Sequence, residues 1–261
     1  MTTAPAARAT DAPLAALLAN RRWERRRRPF PHVVATNVFT ADAYDALAAA
    51  FRAELARAGA GYLARHDLHG ITLTSDAGPL GVFASRAWHD LLARLFGVEA
   101  TGDVSVGLHH HEAGSASGFP HTDLNSAWFP AYVGEAPVRL ARPDVIEYTT
   151  GRAMQPGARG REIVRAVACL FYVNNPGWRP GDGGATGLYA SAGDPPTRPV
   201  AVVPPVDNSL LAFECTPFSY HGFIGNRVNP RDSVVMWLHR DRADADRRWG
   251  AQSIVPFGGE E

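Results

Sequence analysis

From Gly97 onward the chain breaks into short apolar, β-branched segments separated by Gly, Pro and Asn. Candidate strands fall at 103–111, 165–174, 185–189, 200–203, 209–213, 219–224 and 232–239. Before Gly97 the periodicity is helical. Thr40 is a candidate N-cap with Asp42 in the first turn, and Tyr44, Leu47, Ala48, Phe51 and Leu55 then repeat at three- and four-residue intervals. A second amphipathic segment over 85–96 carries Trp88, Leu91, Leu92 and Leu95 inward and stops at Gly97. Helices first and then seven short strands predict an α+β, mainly β protein, a double-sheet jelly roll flanked by N-terminal helices.

The first 28 residues read as an N-terminal extension, partly loose, with a short helix over 14–28 that ends in Arg21-Arg22-Trp23-Glu24-Arg25-Arg26-Arg27-Arg28. Such a run is either a solvated helix end or a partner contact, or a nucleic-acid or anionic-membrane surface. Pro29 and Pro31 stop it, and 32–39 reads as a strand. Residues 29–261 then form one domain, with a helical scaffold over 40–97, a jelly-roll core over 101–240 and a lid-like insertion over about 129–164. That insertion is long and irregular, the texture of a lid or binding loop.

At 261 residues, 46% hydrophobic and 20% charged, the chain can bury one sizeable core. Its formal net charge of zero argues against a nucleic-acid binder that relies on counterion release over its whole surface. All 26 basic residues are Arg, which excludes Schiff-base chemistry on a lysine. Cys169 and Cys215 both lie in apolar runs and are expected as buried thiols. With no signal-like or membrane-length segment, a cytoplasmic protein without nucleic-acid or membrane partners is expected.

The chemistry is carried by His121-Thr122-Asp123, followed later by His221 and then Arg231. Two imidazoles and one carboxylate can occupy one face of an octahedral metal and leave the opposite face open. The tripeptide alone is weak, since His239-Arg240-Asp241 has the same form; that second copy is expected to be a solvated strand end. What distinguishes the first is its order relative to the apolar runs 166–173 and 208–213, the Gly181-Asp182-Gly183-Gly184 turn, His221 and Arg231. Ser233, two residues beyond Arg231 on the same strand, shares its face.

Over roughly residues 109–239 these parts resemble the Fe(II)/2-oxoglutarate dioxygenase superfamily, in its prolyl-hydroxylase-like branch of double-stranded β-helix enzymes. The resemblance rests on His111-x-x-Gly114 leading into His121-Thr122-Asp123, on Phe171-Tyr172-Val173-Asn174 with Trp178, and on Gly183-Gly184 with Leu188-Tyr189. It continues through 208–213, His221-Gly222 and Arg231-x-Ser233. It implies iron(II) held by His121, Asp123 and His221, with 2-oxoglutarate and dioxygen as cosubstrates. Arg231 and Ser233 would hold the far carboxylate of 2-oxoglutarate, with His111 and Tyr172 as further contacts; His111 stands where a tyrosine is common in the family. Family members that halogenate lack the carboxylate, so Asp123 favours hydroxylation. For the substrate, Arg139, Arg142, Arg152, Arg159 and Arg161 suggest a small polar or anionic metabolite. The alternatives are peptidyl, prolyl-type hydroxylation, or a cupin-like protein that binds a metal or ligand without catalysis.

Overall fold

The structure, a computed structural model, describes residues 13–58, 63–65, 68–76, 78–131 and 137–256. In chain order its elements are α1 Leu14–Leu17, β1 Glu24–Arg26, β2 His32–Thr36, α2 Ala41–Ala58, β3 Leu63–Arg65, β4 Leu68–Thr72, α3 Arg86–Phe96, β5 Asp103–His111 and β6 Ser126–Pro130. They continue with β7 Arg139–Leu140, β8 Gly160–Tyr172, β9 Thr186–Leu188, β10 Ala201–Val203, β11 Ser209–Glu214, β12 His221–Phe223, β13 Arg231–Asp241 and α4 Arg242–Trp249.

The major sheet runs β1-β2-β11-β8-β13-β5-β4-β3, with β6 added to β8 and β7 to β5; the minor sheet runs β10-β9-β12. The mainly β jelly-roll expectation is borne out. β8 is buried along ten consecutive residues, Ile163 to Tyr172, because one face packs on the helices and the other lines the inside of the roll. The outer face carries Val167, Cys169 and Phe171 with Val234 and Met236, against Phe51, Phe83, Trp88 and Leu92. The inner face carries Ala168, Leu170 and Tyr172 with Val235, against Phe30, Leu188 and Phe213. Both helices follow their sequence signals. Ser85 caps α3 by accepting from the Trp88 amide at 3.2 Å, and Gly97 ends it at φ 64°, a left-handed conformation that costs a glycine little.

Two expectations are corrected. The 14–28 helix is one short turn, α1, followed by strand β1. Leu18 leaves the helical path, extended and bridged to Phe39, and Asn20 then turns the chain beside β2: its Oδ1 accepts from the Arg22 amide at 2.8 Å and its Nδ2 donates to the Thr36 carbonyl at 2.8 Å. His239 and Arg240 are not a solvated strand end, since both are fully buried. Arg240 donates to Glu214 at 2.6 Å. Strand β6 and helix α4 had no sequence expectation. Cys169 and Cys215 are free and buried, as expected. Among the described residues no helix is long and apolar enough to cross a membrane.

Candidate active site

The inner face of three neighbouring strands brings the polar residues together. On β13, Arg231, Ser233, Val235 and Trp237 oppose His111, His109, Gly107 and Ser105 of β5. On the other side Ser233, Val235 and Trp237 oppose Tyr172, Leu170 and Ala168 of β8. Period-two alternation keeps each set on one face. Gly107 leaves room for an imidazole, because a Cβ there would lie 3.1 Å from His109 Nε2.

His121 and His221 are a cross-strand pair. Each backbone amide donates to the other's carbonyl, at 3.0 and 2.9 Å, and the ring centroids are 4.5 Å apart. This pairing extends the minor sheet by one bridge beyond β12. Each ring also places Nδ1 beside a backbone carbonyl two residues upstream, Phe119 O at 3.0 Å and Ser219 O at 3.1 Å. A carbonyl only accepts, so Nδ1 carries a proton in both rings and Nε2 is the atom left to face a metal. Burial, with His221 adding to it, pushes the His121 imidazole down to about 4, so it is neutral near pH 7.

Asp123 completes the group: one ligand atom from each of His121, Asp123 and His221 lies within 4.8 Å of the others. The carboxylate is fixed on both oxygens. Arg165 Nη1 donates to Oδ1 at 2.7 Å, Trp237 Nε1 donates to Oδ2 at 2.7 Å, and His221 Nε2 lies 3.5 Å from Oδ2. Burial opposes its charge, but Arg165 beside it, together with His221, outweighs that and holds the carboxyl well below the usual range. Two imidazoles and one ionised carboxylate suit an octahedral iron(II) that keeps open positions.

Behind Asp123 lies a buried relay that the sequence did not signal. Arg165 stacks over the Trp237 ring at 4.1 Å and its Nε donates to Tyr148 Oη at 3.2 Å. Tyr148 Oη meets His239 Nε2 at 2.8 Å, and His239 Nδ1 donates to the Asp103 carbonyl at 2.9 Å. Burial pushes His239 down to about 3, so Nε2 accepts from the tyrosine hydroxyl and every donor in the chain is assigned. Arg165 was visible as a charged residue opening the apolar run 166–173, but only the fold shows what it meets.

The second half of the site surrounds Arg231, which is 4% exposed. Its Nη1 donates to Ser233 Oγ at 2.9 Å, its Nη2 reaches Thr186 Oγ1 at 3.4 Å, and its Nε has no hydrogen-bond partner. Thr186 Oγ1 also pairs with Tyr172 Oη at 2.7 Å, and the guanidinium carbon lies 5.2 Å from the Tyr172 ring centre. No ion pair involving Arg231 is found among the described residues, and a guanidinium buried without a carboxylate fits an anionic ligand. His111, opposite Arg231, lies flat on Phe223 at 3.9 Å. His109 stands between the halves; burial, with Arg231 adding to it, pushes it down to about 3, while Asp123 pulls the other way. Thr186 and His109 are site residues that the sequence reading did not assign.

The arginines expected to line a lid have internal partners. Arg139 makes a two-pronged contact with buried Asp103 at 2.8 and 3.0 Å, and Arg161 also donates to Asp103. Arg142 pairs with Asp144 at 2.7 Å and Arg152 with Glu147 at 3.1 Å. Four of the five residues that suggested an anionic substrate thus already face carboxylates of their own chain.

Residues 146–239 match the family described as the 2OG-Fe(II) oxygenase superfamily, a span that holds His221, Arg231, Ser233, Tyr172 and Arg165. Solved structures with the same fold include a prolyl 4-hydroxylase from Phytophthora capsici, at 18% identity and TM-score 0.51, covering 83% of this chain and 61% of that one. This chain therefore spans about three fifths of that protein's length. A Pseudomonas putida prolyl 4-hydroxylase is similar at 16% identity and TM-score 0.53, covering 80% of this chain and 92% of the other. A Trichoplax adhaerens prolyl hydroxylase, in complex with a hypoxia-inducible-factor peptide fragment, is similar at 15% identity and TM-score 0.54, covering 83% and 86%. No curated protein matches the sequence. Over residues 146–239 the chain is thus similar to the 2OG-Fe(II) oxygenase superfamily, and its fold is that of the prolyl hydroxylases. That family's cofactor set is iron(II), 2-oxoglutarate and dioxygen, and the His121, Asp123 and His221 group could hold the metal.

Proposed function

We propose that His121, Asp123 and His221 are the iron ligands and that Arg231 and Ser233 hold the far carboxylate of 2-oxoglutarate, with Tyr172, Thr186 and His111 beside it. The enzyme hydroxylates a peptidyl substrate of the prolyl type. The observation that carries the ligand assignment is the matched pair of backbone-held Nδ1 atoms, which leaves both Nε2 atoms beside one ionised carboxylate.

When bound, iron(II) with its cosubstrates would supply the oxidation, with one oxygen atom going to the substrate and one to succinate as carbon dioxide leaves. The chain's own residues orient and exclude water. Arg231 offers a planar fork to a carboxylate, and the Ser233, Thr186 and Tyr172 hydroxyls surround it in a buried site where such bonds are strong. Arg165 and Trp237 fix the orientation of Asp123 before any ligand arrives, and the carboxylate itself favours hydroxylation over halogenation.

The peptidyl reading is supported by an apolar rim. Phe119, whose ring meets His121 edge-on, is 57% exposed, and Phe218, in the turn that supplies the Ser219 carbonyl, is 67% exposed. Uncommitted apolar side chains beside the metal ligands suit a pyrrolidine ring on a peptide better than a small anion. The similar folds are those of prolyl hydroxylases, one of them bound to a peptide. A succinate-release screen over proline peptides, free amino acids and anionic metabolites tests it. Coupled release with one oxygen atom added to a peptide is expected. Coupled turnover of anionic metabolites alone would assign the site to small molecules instead.

A further inference from the structure

The arginine run at 25–27 has no part in the site above, yet it lines a cavity. Arg25, Arg27, Phe30, His32, Phe96 and Glu214 are among the walls of a space of about 390 Å³ where β1 and β2 meet the end of α3 and β11. Its size falls in the range of small-molecule sites, roughly 300–1,000 Å³. A row of exposed arginines alone would be a solvated strand; three features of the cavity say more.

The first is charge. Arg26 is paired with Glu24 through two bonds of 2.9 and 2.8 Å, and Glu214 is paired with Arg240 at 2.6 Å. Arg25 and Arg27 have no ion pair among the described residues, so the wall carries surplus positive charge. The second is His32, which is 2% exposed. Its Nδ1 donates to the Phe30 carbonyl at 2.8 Å, so Nε2 is a buried acceptor, and it has no hydrogen-bond partner. An unpaired buried acceptor is costly and is met when a ligand brings a donor. The third is the apolar wall of Phe30, Phe96 and Leu95, which suits a flat ring.

We propose that this cavity is a second ligand site, for a small aromatic anion that also carries an N–H or O–H donor. The ring packs on Phe30 and Phe96, the carboxylate or phosphate meets Arg25 and Arg27, and the donor meets His32 Nε2. The site adjoins the catalytic one without sharing its polar residues: Phe30 lies edge-on to Phe213 at 5.5 Å, and Phe213 touches His221 at 4.6 Å.

Calorimetric titration of the full chain with 4-hydroxybenzoate, benzoate and adenosine monophosphate, all with excess 2-oxoglutarate present, tests this. Saturable one-to-one binding of 4-hydroxybenzoate or the nucleotide is expected, weakened by about tenfold or more in Arg25→Ala/Arg27→Ala, whose side chains are exposed and leave the fold intact. Benzoate should bind more weakly than its hydroxylated form, and His32→Phe should close that gap. No saturation at millimolar concentrations, unchanged binding in the double arginine variant, or displacement by 2-oxoglutarate would each overturn the proposal. The carboxylate and phosphate probes together tell which anion the site prefers.

Discussion

Arg165 Nη1 lies 2.7 Å from Asp123 Oδ1, with both side chains 4% exposed, so a buried guanidinium holds the only acidic residue of the candidate iron site. A carboxylate that must be ionised to bind iron is thus ionised and oriented in advance, and its second oxygen is steadied by Trp237.

Arg165→Met should therefore act twice. Breaking a buried pair by removing one partner costs about 3–5 kcal/mol, and the variant should melt well below the parent. Loss of a contact that orients a metal ligand should also lower iron affinity by roughly 10–100-fold. Thermal melting and iron titration measure the two separately, and unchanged iron affinity in a folded variant would contradict the role given to Arg165.

For Arg231 the expectation is specific to geometry. Arg231→Lys keeps the charge but loses the planar fork, so KM for 2-oxoglutarate should rise by at least about tenfold, while Ser233→Ala should raise it only a few-fold. Succinate production against 2-oxoglutarate concentration reads both. Equal effects of the two variants would argue that the far carboxylate lies elsewhere.

Acid stability follows from the buried histidines. Unfolded, His239 titrates near 6.5; folded, burial holds it at about 3. Between those values the unfolded chain binds a proton that the folded chain does not, so stability rises with pH across the window, is complete above about 6.5 and is lost as pH falls toward 3. His109, at about 3, and His121, at about 4, act in the same direction. His239→Gln can keep both hydrogen bonds without titrating, and its stability should fall less steeply between pH 6 and 4 in denaturant titrations. An unchanged pH dependence would show that His239 is not the proton acceptor.

The exposed ion pairs at Arg142 and Arg152 should be nearly silent. Arg142→Gln and Arg152→Gln each remove a surface ion pair with Asp144 or Glu147, a loss of about 0–1 kcal/mol. Turnover of the proposed peptide substrate should stay within about two-fold of the parent; a large loss in either variant would restore the anion-binding reading of this segment.

Much of the fold was legible because its signals are local. The strand expected at 103–111 is β5, and Ser85 and Gly97 bound α3 as cap and stop. The order of His121, Asp123, His221 and Arg231 also reads from the chain, since the His-x-Asp pair, the later histidine and the arginine fall in separate segments of the sequence. What could not be read is what the fold alone brings together. Arg165 and Tyr148 sit 17 residues apart and meet His239 only across β8 and β13. His239-Arg240 looked solvated because nothing local shows that Asp103 and Glu214 accept from them. The first helix stops where Leu18 goes extended to pair with Phe39 and Asn20 bonds to Arg22 and Thr36, a competition that apolar periodicity does not register.

The central assignment is open to one direct measurement. Iron(II) and 2-oxoglutarate, added without oxygen, should give the weak visible charge-transfer band of the keto-acid chelate in the parent protein. The band should be lost in Asp123→Ala and His221→Ala, and should require more 2-oxoglutarate in Arg231→Lys. A band of full intensity in Asp123→Ala, or none in the parent while iron is bound, would contradict the site built from these residues.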